Sequence, residues 1–316
     1  MIGGSPTGVV AVTGAGGFIG RALVAHLPAR ETRLLQRRTP VDGVGRQVVE
    51  GALEDEGAVE RLVEGAGAVV HLAGRVQAPD EAAFMAANAE ATDRLARAAG
   101  RAGVRHFLLV SSLAAARPEV SAYARSKRAG EEAAAAALGR TRLTVLRPPA
   151  VYGPGDRATL PIFQQLARGF LVRPKGGMRR FSLLHVGDLA QAILRLLERR
   201  QEGPLEIDDG RPDGYGWDDL VAIGGAVAGR PIRLVALPRP VFVAAAAACD
   251  LFAAVSGRTP PLSRDKLGEL YAPDWLASGP TIDGWMPQHD FAAGAAETMA
   301  WYRRRGWIAP GRSHPG

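Results

Sequence analysis

Tyr123 and Lys127 stand four residues apart in an alanine-rich stretch, Ala122 to Leu138, that predicts a helix. That spacing puts the phenol and the ammonium on one helix face. A free tyrosine ionises at about 10, too high to exchange protons well at neutral pH, so a cation that favours the phenolate makes it a usable acid or base. Lys127 would supply that cation; the plainer reading is two solvated side chains on a helix surface. Ser111 and Ser112 close an apolar run just before this helix, where hydroxyls can point into a cleft.

A second chemical signal lies near the amino terminus, where Gly14-Ala15-Gly16-Gly17-Phe18-Ile19-Gly20 follows the apolar run Val9 to Thr13. The order is strand, glycine turn and helix start. Glycines at 14, 17 and 20 allow a tight turn, a close approach to a pyrophosphate and packing of the new helix on the sheet. An anion would then meet free amide groups at a helix N-terminus. The commoner spacing Gly-x-Gly-x-x-Gly is not met, because position 19 is Ile19, and a simple tight turn is the alternative.

These groups need elements to hold them. Strand-like runs at Arg33 to Gln36, Gln47 to Val49, Ala68 to Leu72, His106 to Ser111 and Leu143 to Leu146 alternate with helical segments at Glu54 to Val63, Glu81 to Ala99 and Ala122 to Leu138. Such alternation predicts an α/β fold, a Rossmann-type doubly wound parallel sheet that binds ligands beyond the carboxyl ends of its strands. After Arg147 prolines and glycines break the regularity. We therefore expect a dinucleotide-binding domain over 1–150 with a return segment near 181–200, and a smaller, interleaved substrate-binding portion over 151–316.

Composition narrows the classes. At 316 residues and 47% hydrophobic the chain can bury a sizeable core. Its net charge of +7 comes from arginines scattered along the whole length, which argues for a solvated surface and against nucleic-acid binding. The single cysteine, Cys249, excludes an internal disulfide and points to a reducing, cytoplasmic compartment. No signal peptide is evident. The apolar run from Val241 to Val255 is too short to span a bilayer, contains Asp250, and reads as a core helix. His26, His106 and His289 are isolated from ligand-like spacing, so no metal is expected. The tryptophans, Trp217, Trp275, Trp285, Trp301 and Trp307, read as core packing ahead of pocket lining.

The glycine turn, the Ser111-Ser112 strand end and the Tyr123/Lys127 pair, in that order, resemble the extended short-chain dehydrogenase/reductase family, also called the NAD-dependent epimerase/dehydratase family, over roughly residues 8 to 200. The resemblance implies Tyr123 as proton-transferring group, Lys127 on the nicotinamide ribose and Ser112 on the reacting oxygen. The cofactor would lie along Gly14, Gly17, Phe18, Ile19, Gly20, the Leu72-Ala73-Gly74 turn that follows His71, Asn88 and Ser111. The segment Arg147-Pro148-Pro149-Ala150-Val151-Tyr152-Gly153 resembles the one that meets the nicotinamide amide, through Pro148 and Val151, and His185-Val186-Gly187-Asp188 resembles a later, structural one.

Departures from the family pattern are informative. Sugar-nucleotide members place asparagine where this chain has Ala150, and dehydratases place an Asp-Glu pair where it has Leu113 and Ala114. Both point towards ketone reductases and hydroxysteroid dehydrogenase-like members. The segment near the adenine reads Gly51-Ala52-Leu53, which leaves Leu53 but no carboxylate there. An NAD site carries an acid about 20 residues past the turn, whereas here Arg37 and Arg38 follow Gln36, favouring NADP over NAD. The expectation is hydride transfer between NAD(P) and a secondary alcohol or ketone. The alternatives are a nucleotide-sugar epimerase with tightly held NAD and a non-catalytic dinucleotide-binding sensor or assembly factor. The partner is a small-molecule substrate, with no stable membrane insertion and with a homodimer left open.

Overall fold

Val9–Thr13 forms β1, four of whose five residues are buried, as in a parallel strand covered by helices on both faces. The computed structural model describes residues 8–37, 45–256 and 264–309. Beyond β1 come α1 (Phe18–Val24), β2 (Thr32–Gln36), β3 (Gln47–Glu50), α2 (Glu56–Val63), β4 (Ala66–His71), α3 (Glu81–Met85), α4 (Ala91–Arg101), β5 (His106–Val110), α5 (Ala122–Ala137) and β6 (Arg142–Arg147). Side-chain oxygens of Asp55, Asp80 and Ser121 accept the N–H three residues on, satisfying a free donor at the starts of α2, α3 and α5. The helical stretch expected over Glu81 to Ala99 is divided: Ala86–Glu90 form a wider π-type turn between α3 and α4.

The chain continues through β7 (Ala150–Tyr152), α6 (Leu160–Arg168), β8 (Phe170–Pro174), β9 (Arg180–Phe181), β10 (Leu183–His185) and α7 (Val186–Arg199) to β11 (Gly203–Glu206). β11 pairs with β6 and completes a seven-stranded sheet of order β11-β6-β5-β4-β1-β2-β3, parallel at every pairing. Strand order reverses between β1 and β4, the switch point of a Rossmann-type doubly wound sheet. A core of Leu62, Val69, Leu95, Phe107, Leu109 and Val145, among others, fills the space between sheet and helices.

The remaining elements are β12 (Tyr215–Gly216), α8 (Trp217–Ala228), β13 (Arg233–Leu237), α9 (Arg239–Ser256), α10 (Arg264–Tyr271), β14 (Asp274–Trp275) and α11 (Phe291–Arg304). The chain divides into two compact units: Met1–Pro148, Leu189–Ile207 and Gly279–Trp285 make the first, and Pro149–Asp188, Asp208–Ser278 and Met286–Gly316 the second. The second has its own core around Tyr152, Phe163, Phe181, Phe291 and Tyr302, against which Trp217, Trp275, Trp301 and Trp307 pack. α9 corrects one expectation. It is not a core helix, since Val241, Val243, Leu251 and Phe252 are all exposed. Among the described residues no helix is long and apolar enough to cross a membrane.

Candidate active site

The expected site residues of the first unit stand along one edge of its sheet. Gly14, Leu72 to Gly74, Ser111 with Ser112, and Pro148 each come just after the carboxyl ends of β1, β4, β5 and β6, and Arg37 follows β2. In a parallel sheet this is the edge that binds ligands. Backbone bonds fix the edge: Leu72 N–H donates to Thr13 O, Ser111 N–H to Leu146 O and Leu113 N–H to Pro148 O.

Gly14 has φ +74°, and a Cβ there would lie 2.6 Å from Ala73 N, so this position tolerates neither a side chain nor an ordinary backbone. Gly17 differs. Its backbone is extended, it precedes α1, and a Cβ there would meet only Gly14 O, at 3.2 Å. The space beyond Gly17 is therefore open, and the first N–H groups of α1, from Phe18 and Ile19 onward, have no partner within the helix. An opening lined by backbone donors at a helix N-terminus suits the pyrophosphate of a dinucleotide. Arg37 is exposed, whereas Arg38 lies outside the described residues. Leu53 packs against the first core, and its carbonyl accepts from Arg94 Nε.

Tyr123 and Lys127 both lie on α5, as their spacing requires. Tyr123 is half-buried with its ring 5.9 Å from that of Phe84, between centroids. Lys127 Nζ donates to Val110 O at 3.0 Å, tying the helix to the end of β5. Burial pulls its ammonium down to about 8, against an upward pull from Glu131. Ser112 Oγ accepts from Ala114 N–H at 3.2 Å, which does not consume the hydroxyl's own proton. Asn88 is engaged on all sides: Oδ1 accepts from Arg75 N–H, and Nδ2 donates to Arg75 O and Ser126 Oγ. It thereby clamps the loop after β4 to α5, and the π-type turn carries it.

Two buried networks lie beneath this edge. In the first, Ser111 Oγ donates to Glu131 Oε1, Arg147 donates to both oxygens of Glu131, and Arg147 faces Glu206 Oε1 at 3.7 Å. The hydroxyl of Ser111, expected on the cofactor, is thus directed at Glu131. In the second, Thr92 Oγ1 donates to Asn88 O, so it must accept from His71 Nε2 at 2.9 Å; the other nitrogen, Nδ1, then takes the Thr13 hydroxyl proton at 2.6 Å. Burial, with Lys127 adding to it, pushes His71 down to about 3, in keeping with a neutral ring.

In the second unit Val151 is half-buried on β7, paired with Leu184 of β10. His289 is not isolated, contrary to expectation: its ring lies 4.2 Å from that of His185, its Nδ1 is 3.1 Å from Asp188 Oδ1, and both Nε2 atoms face Glu297 Oε2 at 3.7 and 3.8 Å. His185, His289 and Glu297 are spaced like metal ligands. Gly187 N–H, however, approaches His185 Nδ1 at 3.4 Å, which places the ring proton on Nε2, facing the carboxylate. Only the fold joins residues so far apart in sequence.

Comparison with known proteins agrees with this geometry. The family model described as the NAD dependent epimerase/dehydratase family matches residues 10–207. The chain is 38% identical over 308 residues to a ceramide reductase of Caulobacter vibrioides, covering 95% of this chain and 96% of that one. It is 31% identical over 261 residues to the mitochondrial NADH dehydrogenase [ubiquinone] 1 alpha subcomplex subunit 9 of Arabidopsis thaliana, covering 78% and 64%. Among solved structures, MoeE5 in complex with UDP-glucose and NAD superposes with a TM-score of 0.72 at 24% identity, over 94% of this chain and 99% of that one. With the strand-end row, the glycine opening and the α5 pair in place, the chain belongs to the NAD-dependent epimerase/dehydratase family and is an oxidoreductase of that family.

Proposed function

We propose that the protein reduces a ketone on a long-chain, ceramide-type lipid with NADPH, using Tyr123 as the acid. The observation that carries this reading is the Tyr123/Lys127 pair on α5, with Lys127 anchored on Val110 O at the strand end. The 38% identity to a ceramide reductase along nearly the whole chain supports the substrate class, as do Ala150, Leu113 and Ala114 where sugar-nucleotide enzymes carry polar groups.

Bound NADPH would supply a hydride to the carbonyl carbon. The Tyr123 hydroxyl gives its proton to the carbonyl oxygen, and the Lys127 ammonium, by favouring phenolate, makes that proton easier to release. Ser112 donates to the same oxygen. Amides at the start of α1 hold the pyrophosphate, Arg37 takes the 2′-phosphate, and Lys127 also holds the ribose. In this reading Asn88 and Glu131 position α5 without touching the substrate.

A second reading, a dinucleotide-binding subunit without turnover, draws on the similarity to the plant NADH dehydrogenase subunit. The presence of Ser112, Tyr123 and Lys127 together speaks for turnover. The deciding experiment follows NADPH oxidation with 3-oxo lipids and short-chain ketones. Tyr123→Phe should lose at least about a hundredfold in kcat while binding NADPH normally. Near-normal turnover by that variant overturns the mechanism, and NADPH binding by the unmodified protein without reduction of any ketone supports the second reading.

A further inference from the structure

We propose that the outward face of α9 docks this protein on an anionic lipid surface. On a helix turning 100° per residue, Val241, Ala244, Ala245, Ala248, Leu251 and Phe252 fall within an arc of about 120°. All six are exposed. The opposite side carries the buried Ala246 and the half-buried Phe242, whose ring meets Tyr271 of α10 edge-on, with Val243 exposed at its first turn. The helix's one acid, Asp250, is half-buried, not outward. An ordinary surface helix is arranged the other way round, with its apolar stripe inward and its charges in water. Of the exposed large hydrophobics among the described residues, most are on this helix.

Size and charge select the occupant. From Val241 to Phe252 the twelve residues make a face about 18 Å long and 10 Å wide, or roughly 180 Å². A stable homodimer buries about 800 Å² per partner, so this face is too small to carry one. It suits a helix lying in the boundary between headgroups and acyl chains, and it is not long and apolar enough to cross. Its sequence flanks are basic: Arg239 opens the helix, and Arg258 and Arg264 follow it before Asp265, while the next cation, Lys266, is paired with Glu269. Arginines that flank an apolar segment in sequence favour anionic headgroups, and the net charge of +7 adds to this. The choice of a lipid surface leans on the lipid substrate proposed above.

The test is co-flotation of the full chain with phosphatidylcholine vesicles with and without phosphatidylglycerol. The unmodified protein should float with the anionic vesicles, less so as salt rises, and the double variant Leu251→Glu/Phe252→Glu should partition at least about tenfold more weakly. Both new carboxylates would meet water in the free protein, so circular dichroism and NADPH binding should be unchanged. Turnover of a soluble short-chain ketone should also be unchanged in that variant, while Tyr123→Phe should still float, which separates failure of docking from failure of the proposed reaction. Vesicle binding that is absent in the unmodified protein, or equal in the double variant, overturns the proposal. So does a dimer, measured by light scattering, that the double variant converts to monomer without any vesicle binding, because the face would then meet a second copy.

Discussion

Glu131 holds Arg147 by two hydrogen bonds, 3.0 Å from Nε and 2.6 Å from Nη2, with both side chains about nine-tenths buried. Glu131 is also four residues beyond Lys127 on α5, so a single carboxylate serves a structural ion pair and biases the charge of the lysine. Neither role is visible in a motif.

The first prediction separates the two roles. Lys127 loses its proton at about 8, so the rate of ketone reduction should fall as pH rises through that region. Glu131→Gln removes the carboxylate that raises the lysine, and the alkaline limb of kcat should move to lower pH. Arg147→Met keeps the Glu131 carboxyl in place and should not move the limb downward. Both variants should also lower stability by urea unfolding, Arg147→Met the more, because it leaves Glu131 and Glu206 buried without their shared cation whereas Glu131→Gln leaves Arg147 facing Glu206. An alkaline limb that stays fixed in folded Glu131→Gln would count against the electrostatic role.

The acid side is set by histidines that the fold keeps neutral. His71 is depressed to about 3 and His106 to about 4, in both cases chiefly by burial. In the unfolded chain they titrate near 6.5. Between these values the unfolded state binds more protons, so stability is complete above about 6.5 and declines as pH falls towards 4 and then 3. His71→Gln should cost stability at pH 7 and should flatten this decline, as measured by urea midpoints across the range. An unchanged slope would place the acid sensitivity elsewhere.

Cofactor choice rests on Arg37, exposed just past β2. Arg37→Ala should weaken NADPH about tenfold and leave NADH nearly unchanged, since only the former carries the 2′-phosphate. Fluorescence titration of both nucleotides measures this. Tighter binding of NADH by the unmodified protein would reverse the assignment.

The two glycines of the turn should respond differently to the same side chain. Gly14→Val places atoms against the Ala73 backbone at positive φ and should destabilise the fold. At Gly17 a Cβ would crowd only the Gly14 carbonyl, at 3.2 Å, so Gly17→Val should fold with a modestly lowered melting temperature yet lose both nucleotides, because the side chain enters the space read as the anion site. Retained binding by a folded Gly17→Val protein would move the pyrophosphate elsewhere.

The sequence by itself determined the local features. Glycine spacing requires a turn of limited size after β1, a four-residue interval puts Tyr123 and Lys127 on one face of α5, and the alternation of apolar runs with amphipathic segments dictates a parallel sheet of the family's type. These depend on bond geometry and on period, which act over a few residues. Asn88 was legible only through the family pattern; that its amide is consumed in clamping Arg75 and Ser126 was not.

Tertiary structure decided the rest. Ser111, Glu131, Arg147 and Glu206 are spread over 96 positions, yet they form one buried polar chain because β5, β6, β11 and α5 bring them to one place. His289 read as isolated for the same reason, its partners His185 and Asp188 being about a hundred residues away. The apolar composition of α9 read as core, but hydrophobicity states only that a surface prefers to leave water. Whether protein covers it depends on which neighbours the fold supplies, and on the outward side of α9 it supplies none of the described ones.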